Sequence, residues 1–147
     1  RPFWMRCPVC GDGILITKDG RTHPPASELP IIDGLQPAVE AMWNEICIVY
    51  ASGSPTATEM LCRKLLMHVA LNLNAHPSEG APFTEYVDAL IKSGEVSNSM
   101  KPVLESIRTR GNRANHDIAL STPEDAKQTA DFTRLLLEVV RLKDRTP

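Results

Sequence analysis

From Leu35 onward, apolar residues recur at every third or fourth position, and this period constrains the fold more than any other feature of the chain. Leu35, Val39, Met42, Trp43, Ile46, Val49 and Tyr50 mark one face of an amphipathic helix that ends in the breakers Ser52 to Pro55. A second helix is predicted from about Thr56 to Leu73. Its face of Leu61, Cys62, Leu65, Leu66, Val69 and Leu73 is broad enough for the centre of a bundle. After a loop over 74–82, Thr84 caps a short helix carrying Tyr86, Val87, Leu90 and Ile91, which Gly94 stops. A fourth helix begins near Ser99 to Pro102 and runs through Ile107 toward Gly111 or beyond. Pro123 opens a fifth behind Ser121 or Thr122, with Glu124 and Asp125 in the first turn and Arg141, Lys143 and Arg145 at the far end, as the helix dipole favours. The expectation is an all-α antiparallel bundle of about five helices over residues 34–147.

The first 33 residues read differently. Gly11, Gly13, Gly20, Pro24, Pro25 and Pro30 make them a breaker-rich lead that helices avoid. Within it, Ile14 to Thr17 followed by Lys18-Asp19-Gly20 predicts a short hairpin. Cys7-Pro8-Val9-Cys10-Gly11 has the form of a knuckle that sets two thiolates on one structural zinc, the glycine letting backbone amides turn toward the sulfurs. Two ligands are half a site. His23 is one candidate for a third; a pair upstream or on a partner chain is another, and a reduced pair or a disulfide are the alternatives without metal. Cys47 and Cys62 fall on inner helical faces, where cysteine behaves as a small apolar residue.

Hydrophobic residues at 42% and charged residues at 23% describe a globular chain and exclude a disordered one. A formal charge of −2 argues against a protein that grips long duplex DNA through a wholly basic face, although Lys101, Arg108, Arg110 and Arg113 gather locally. No apolar run is long enough to span a bilayer and the start is not a signal peptide, so the expected location is the cytoplasm, with no membrane partner.

The segment from Ile107 to Asp117 packs three arginines, two asparagines, a histidine and an aspartate into a short stretch. If the helix continues, Arg108, Asn112 and His116 share one face, with Glu105 placed to pair with Arg108. Arg110 lies nearer the apolar side with Ile107 and Ala114, roughly 120° from His116. Such a set suits structure, with Arg108 paired to Glu105, Asn112 and Asp117 capping a helix end and His116 tying that end to a neighbour. His68, on a mostly apolar helix, is expected in the core, and His76 in a loop.

Leu61-Cys62-Arg63-Lys64-Leu65-Leu66, Tyr86-Val87-Asp88-Ala89-Leu90-Ile91-Lys92-Ser93-Gly94, and Ile107-Arg108 with Gly111-Asn112 and Ala114-Asn115-His116-Asp117 together resemble the domain of unknown function 4145 family, over roughly residues 35 to 143. That family is similar in turn to the HEPN helical bundles, whose catalytic members are metal-independent ribonucleases of toxin, restriction and phage defence systems, usually homodimeric. Their mark is an arginine, four to six residues, and a histidine. Arg110 and His116 meet that spacing with five residues between them, whereas Arg108, which matches the arginine of the 4145 pattern, has seven residues between it and His116. The resemblance implies His116 as general acid or base in transferring an RNA 2′-oxygen to phosphorus. Arg110 or Arg108 would hold the phosphate and Asn112 would orient the histidine or substrate, with no cofactor for catalysis. The alternative is a non-catalytic protein-interaction or nucleic-acid-binding module of a larger restriction or defence assembly.

Overall fold

The computed structural model describes residues 1–8, 11–72, 77–78, 80–114 and 120–144, with the side chains of 111–114 and 142–144 excepted. Five helices follow a small sheet: α1 Pro37–Ala51, α2 Pro55–Leu71, α3 Phe83–Lys92, α4 Lys101–Ala114 and α5 Pro123–Asp144. Helix α2 packs against α1, α3 and α5, the central position its broad apolar face requires, while α4 closes against α3 and α5. Trp43, Ile46, Leu65, Leu66, Leu90, Leu104, Ile107, Leu136 and Leu137 are fully buried between them.

Prolines open α1, α2 and α5, where the missing N–H falls on a helix's first turn and is not needed. Helix α5 has a reciprocal cap: Thr122 Oγ1 accepts the Asp125 amide at 3.1 Å, and Asp125 Oδ2 accepts the Thr122 amide at 3.1 Å. Gly94 ends α3 with φ near 78°, a conformation that favours glycine. The start of α3 corrects the sequence reading. Its cap is Pro82, whose carbonyl accepts the Glu85 amide at 2.9 Å, and Thr84 lies inside the first turn. Burial of Phe83 beneath the Arg63 guanidinium, 4.6 Å from the ring centroid, draws the helix start back to that residue.

The lead is a three-stranded antiparallel sheet, one strand more than the hairpin expected there, beside the expected five helices. Strand β1 (Phe3–Arg6) pairs with β2 (Gly13–Ile16), and β2 pairs with β3 (Thr22–His23). The predicted hairpin is β2–β3, turned at Gly20 with φ near 82°. Strand β1 has no counterpart in the sequence reading. The segment joining sheet to bundle is also more deeply seated than a lead would be. Leu29 and Ile32 are buried in the helical core, the Trp43 indole Nε1 donates to the Pro30 carbonyl at 3.0 Å, and an Arg141 guanidinium nitrogen donates to the Asp33 carbonyl at 3.2 Å.

Trp43→Phe keeps an aromatic ring in the core but leaves the Pro30 carbonyl without its donor. The expected cost is about 1–3 kcal/mol in urea denaturation, with faster proteolysis between residues 24 and 34. An unchanged midpoint and an unchanged cleavage rate would show that the linker is held by other contacts.

Candidate functional site

Arg108 and Arg110 stand two positions apart on α4, roughly 200° around its axis, and so reach opposite neighbours. The helix continues through Gly111 to Ala114 without interruption. Ile107 and Leu104 are buried on its inner face, and Arg110 lies on that side.

The Arg110 side chain is only 21% exposed and enters a polar node between α2, α4 and α5. Its Nε donates to Glu59 Oε1 at 3.1 Å. One terminal nitrogen, Nη1, donates to Ser106 Oγ at 2.7 Å and Gln128 Oε1 at 2.8 Å, and the other, Nη2, to Thr129 Oγ1 at 2.9 Å. Four of the five N–H bonds of the guanidinium are thereby used. Glu59, 10% exposed on α2, also accepts the Thr129 hydroxyl at 2.7 Å and the Ser121 hydroxyl at 2.6 Å. A carboxylate this far from solvent is tolerable only with such a charge partner and such donors. Asp125 Oδ1 stands 3.5 Å from Arg110 Nε, which links the cap of α5 to the same node.

Arg108 faces outward, 33% exposed, and pairs with Glu105 at 2.7 Å, as the sequence spacing predicts, and with Asp88 of α3 at 3.5 Å. Asn112 is on the continuous helix one turn beyond Arg108, but its side chain lies outside the described residues, as does all of His116. The convergence of an arginine with His116 therefore falls outside the described residues too. What the structure does bring together is Arg110 with Glu59, Ser106, Gln128 and Thr129. Sequence reasoning passed over Glu59, although one signal marks it: a carboxylate three residues before Cys62 and seven before Leu66 sits on the inner stripe of α2, where an acid requires a partner. Thr129 and Thr133, both fully buried, interrupt the inner face of α5 similarly.

Arg63 lies close enough to Glu59 for the carboxylate to act on it, and burial pulls its guanidinium below the usual pKa while Glu59 opposes that shift. Its Nε is buried with no acceptor among the described residues. His68 is half-buried, short of the core position expected for it, and His76 lies outside the described residues. Cys47 and Cys62 are buried as expected; desolvation raises both thiols, that of Cys62 to about 12, so neither is a thiolate near neutrality.

The knuckle closes the β1–β2 hairpin: the Cys7 amide donates to Asp12 O at 2.7 Å and the Gly11 amide to Cys7 O at 2.9 Å. Cys10 is outside the described residues. His23 pairs with Leu15 on the far edge of the sheet, three residues along from Asp12 and two strands across from β1. Strand spacings put the Cys7 and His23 Cα atoms roughly 14 Å apart, too far for one zinc with ligand bonds of about 2.0–2.3 Å. His23 thus does not fit as the third ligand, and no group of three or more metal-binding side chains occurs among the described residues.

The node makes Arg110 and Arg108 separable by stability. Arg110→Ala and Glu59→Ala should each cost about 3 kcal/mol, since either leaves a largely buried charge unpaired. The double variant should cost clearly less than the sum, by thermodynamic cycle in urea. Arg108→Ala should cost under about 1 kcal/mol, its pairs being solvent-exposed. Additive losses at Glu59 and Arg110 would contradict the coupling. Asp125 gives a pH signature. The Thr122 hydroxyl and amide, with the Arg110 charge, hold its carboxyl below the usual aspartate value against the opposing effect of burial. Its stabilisation is therefore complete above about pH 4, near the unfolded value, and lost as pH falls through the lowered folded value. Asp125→Asn should flatten the acid limb of a stability–pH profile; a limb as steep as the parent's would exclude this carboxylate.

No helix among the described residues is long and apolar enough to cross a membrane. No curated protein and no solved structure matches the chain. The sequence pattern of one family, described as Domain of unknown function (DUF4145), matches residues 44–145, which take in the second half of α1 and all of α2 to α5. With the buried stripe of α2, the Ile107-Arg108 step and the capped α5 all inside that match, the chain belongs to the DUF4145 family.

Proposed function

We propose that the helical bundle is a non-catalytic binding module of a larger assembly, of the restriction or phage defence kind that the HEPN resemblance implies. The observation that carries this reading is the engagement of Arg110: the arginine with HEPN-like spacing to His116 has its guanidinium taken up by Glu59, Ser106, Gln128 and Thr129. A phosphate would have to displace a buried carboxylate and three neutral acceptors to reach it, which costs more than an exposed arginine would ask. Between α4 and α5, a groove of about 370 Å³ floored by Met100, Val103, Phe132 and Leu135 and rimmed by Lys127 and Asp131 offers a contact surface of ordinary interface character. A second copy of the chain is the partner that the resemblance favours.

One observation supports the alternative, a metal-independent ribonuclease. Arg108 is outward-facing and its carboxylate partners are themselves exposed, so a phosphate could compete for it. Asn112 follows it one helical turn later.

Incubation of the full chain with single-stranded RNA in chelator separates the two. The module reading expects intact RNA over several substrates and pH values. Cleavage that ends in a cyclic phosphate and is abolished by His116→Ala or Arg108→Ala would replace it with the ribonuclease.

A further inference from the structure

The three-stranded sheet carries a surface that the helices leave uncovered. Its register sets Trp4 opposite Leu15, Leu15 opposite His23 and Arg6 opposite Gly13, so these side chains share one face. Arg21 lies two residues before His23, and its carbonyl accepts the Thr17 amide across the hairpin at 2.8 Å, which places it on that face as well. Phe3, Met5, Ile14 and Ile16 take the other face. One side of the sheet is therefore aromatic and basic and the other apolar.

Trp4 is 73% exposed. A Cβ on Gly13 would stand 3.8 Å from Cε3 and Cζ3 of the indole, an ordinary van der Waals contact, so the ring lies along the sheet over that residue. The cations beside it are positioned but not consumed. Arg6 Nε donates to the Gly11 carbonyl at 2.9 Å, which fixes the guanidinium at the loop end of β1. Arg21 pairs with Asp19 at 2.9 Å, both largely exposed, an arrangement that a phosphate can displace at little cost. Residues 1–23 hold Arg1, Arg6, Lys18 and Arg21 against Asp12 and Asp19, a surplus of two positive charges in a chain whose formal net charge is −2. The rest of the molecule therefore repels a polyanion, and the sheet is where one would settle.

We propose that this face binds single-stranded nucleic acid, with Trp4 stacking on one base and Arg6 and Arg21 holding phosphates of the strand on either side of it. An unpaired base can stack on an exposed indole where a base held in a duplex cannot, and the few cations present are too sparse to hold a duplex by its backbone. The proposal deepens the binding-module reading and rests on it for its setting, although the site is separate from α4.

The test is fluorescence anisotropy with the full chain, using short labelled RNA and DNA strands and the matching duplexes. Saturable binding at about 50 mM salt is expected, stronger for single strands and weakening as salt rises. Trp4→Ala should weaken it about tenfold or more. Trp4→Phe should retain most of it and thereby exclude misfolding as the cause, and Arg21→Gln should weaken it with a shallower salt dependence. Absence of saturable binding, or parental affinity in both Trp4→Ala and Arg21→Gln, would overturn the proposal. So would a dimer seen in sedimentation that Trp4→Ala dissolves while no strand binds, since the face would then belong to a second copy. RNA bound through Trp4 but cleaved through His116 would uphold this site while overturning the non-catalytic reading of the bundle.

Discussion

The Arg110–Glu59 ion pair is the constraint around which the bundle is organised. It joins the central helix α2 to α4, and through Thr129 and Gln128 it takes in α5. A charge this far from solvent is tolerable only if nearly all its hydrogen-bonding capacity is met. That requirement demands specific residues on three helices at once. Apolar packing alone would accept several rotations of α4 about its axis; a guanidinium with four occupied donors accepts very few. The pair thus confers orientation more than net stability, and it settles which of two nearby arginines faces the interior.

That settlement bears on function. Arg108 and Arg110, the two arginines that the sequence offers for a phosphate, point to different parts of the molecule. The family match begins at residue 44 and leaves the sheet outside it, so the surface proposed to bind nucleic acid is a feature of this chain's N-terminal segment. The bundle and the sheet are joined by a linker whose Leu29 and Ile32 are buried in the helical core, so the sheet is attached at an anchored stem.

The parts of this fold that were legible in sequence are those where a period meets a breaker. Five helices, their order, the central place of α2, the Gly94 stop and the Thr122 start of α5 all follow from apolar spacing with Pro, Gly and Thr at the ends. Strand β1 was not legible because all four of its residues are exposed and the run Phe3-Trp4-Met5-Arg6 has no alternation of apolar and polar positions. The start of α3 was missed because a hydroxyl at Thr84 mimics a cap while the deciding force, burial of Phe83 beneath Arg63, is tertiary. The candidate site was half legible. Arg108 with Glu105 is a local helical pair, and the inward lean of Arg110 follows from its phase. Its partner Glu59 is 51 residues away, and pairing at such range leaves no periodic trace.

The reciprocal cap of Thr122 and Asp125 reaches beyond the end of its helix. Gln128 and Thr129 stand within two turns of it, and a slip of α5 by one residue would move each about 1.5 Å along and 100° around the axis. Either displacement would carry an amide oxygen and a hydroxyl away from the guanidinium they accept. The cap therefore acts as a register pin: by fixing the first residue of the longest helix, it determines which side chains meet the buried charge one turn further on.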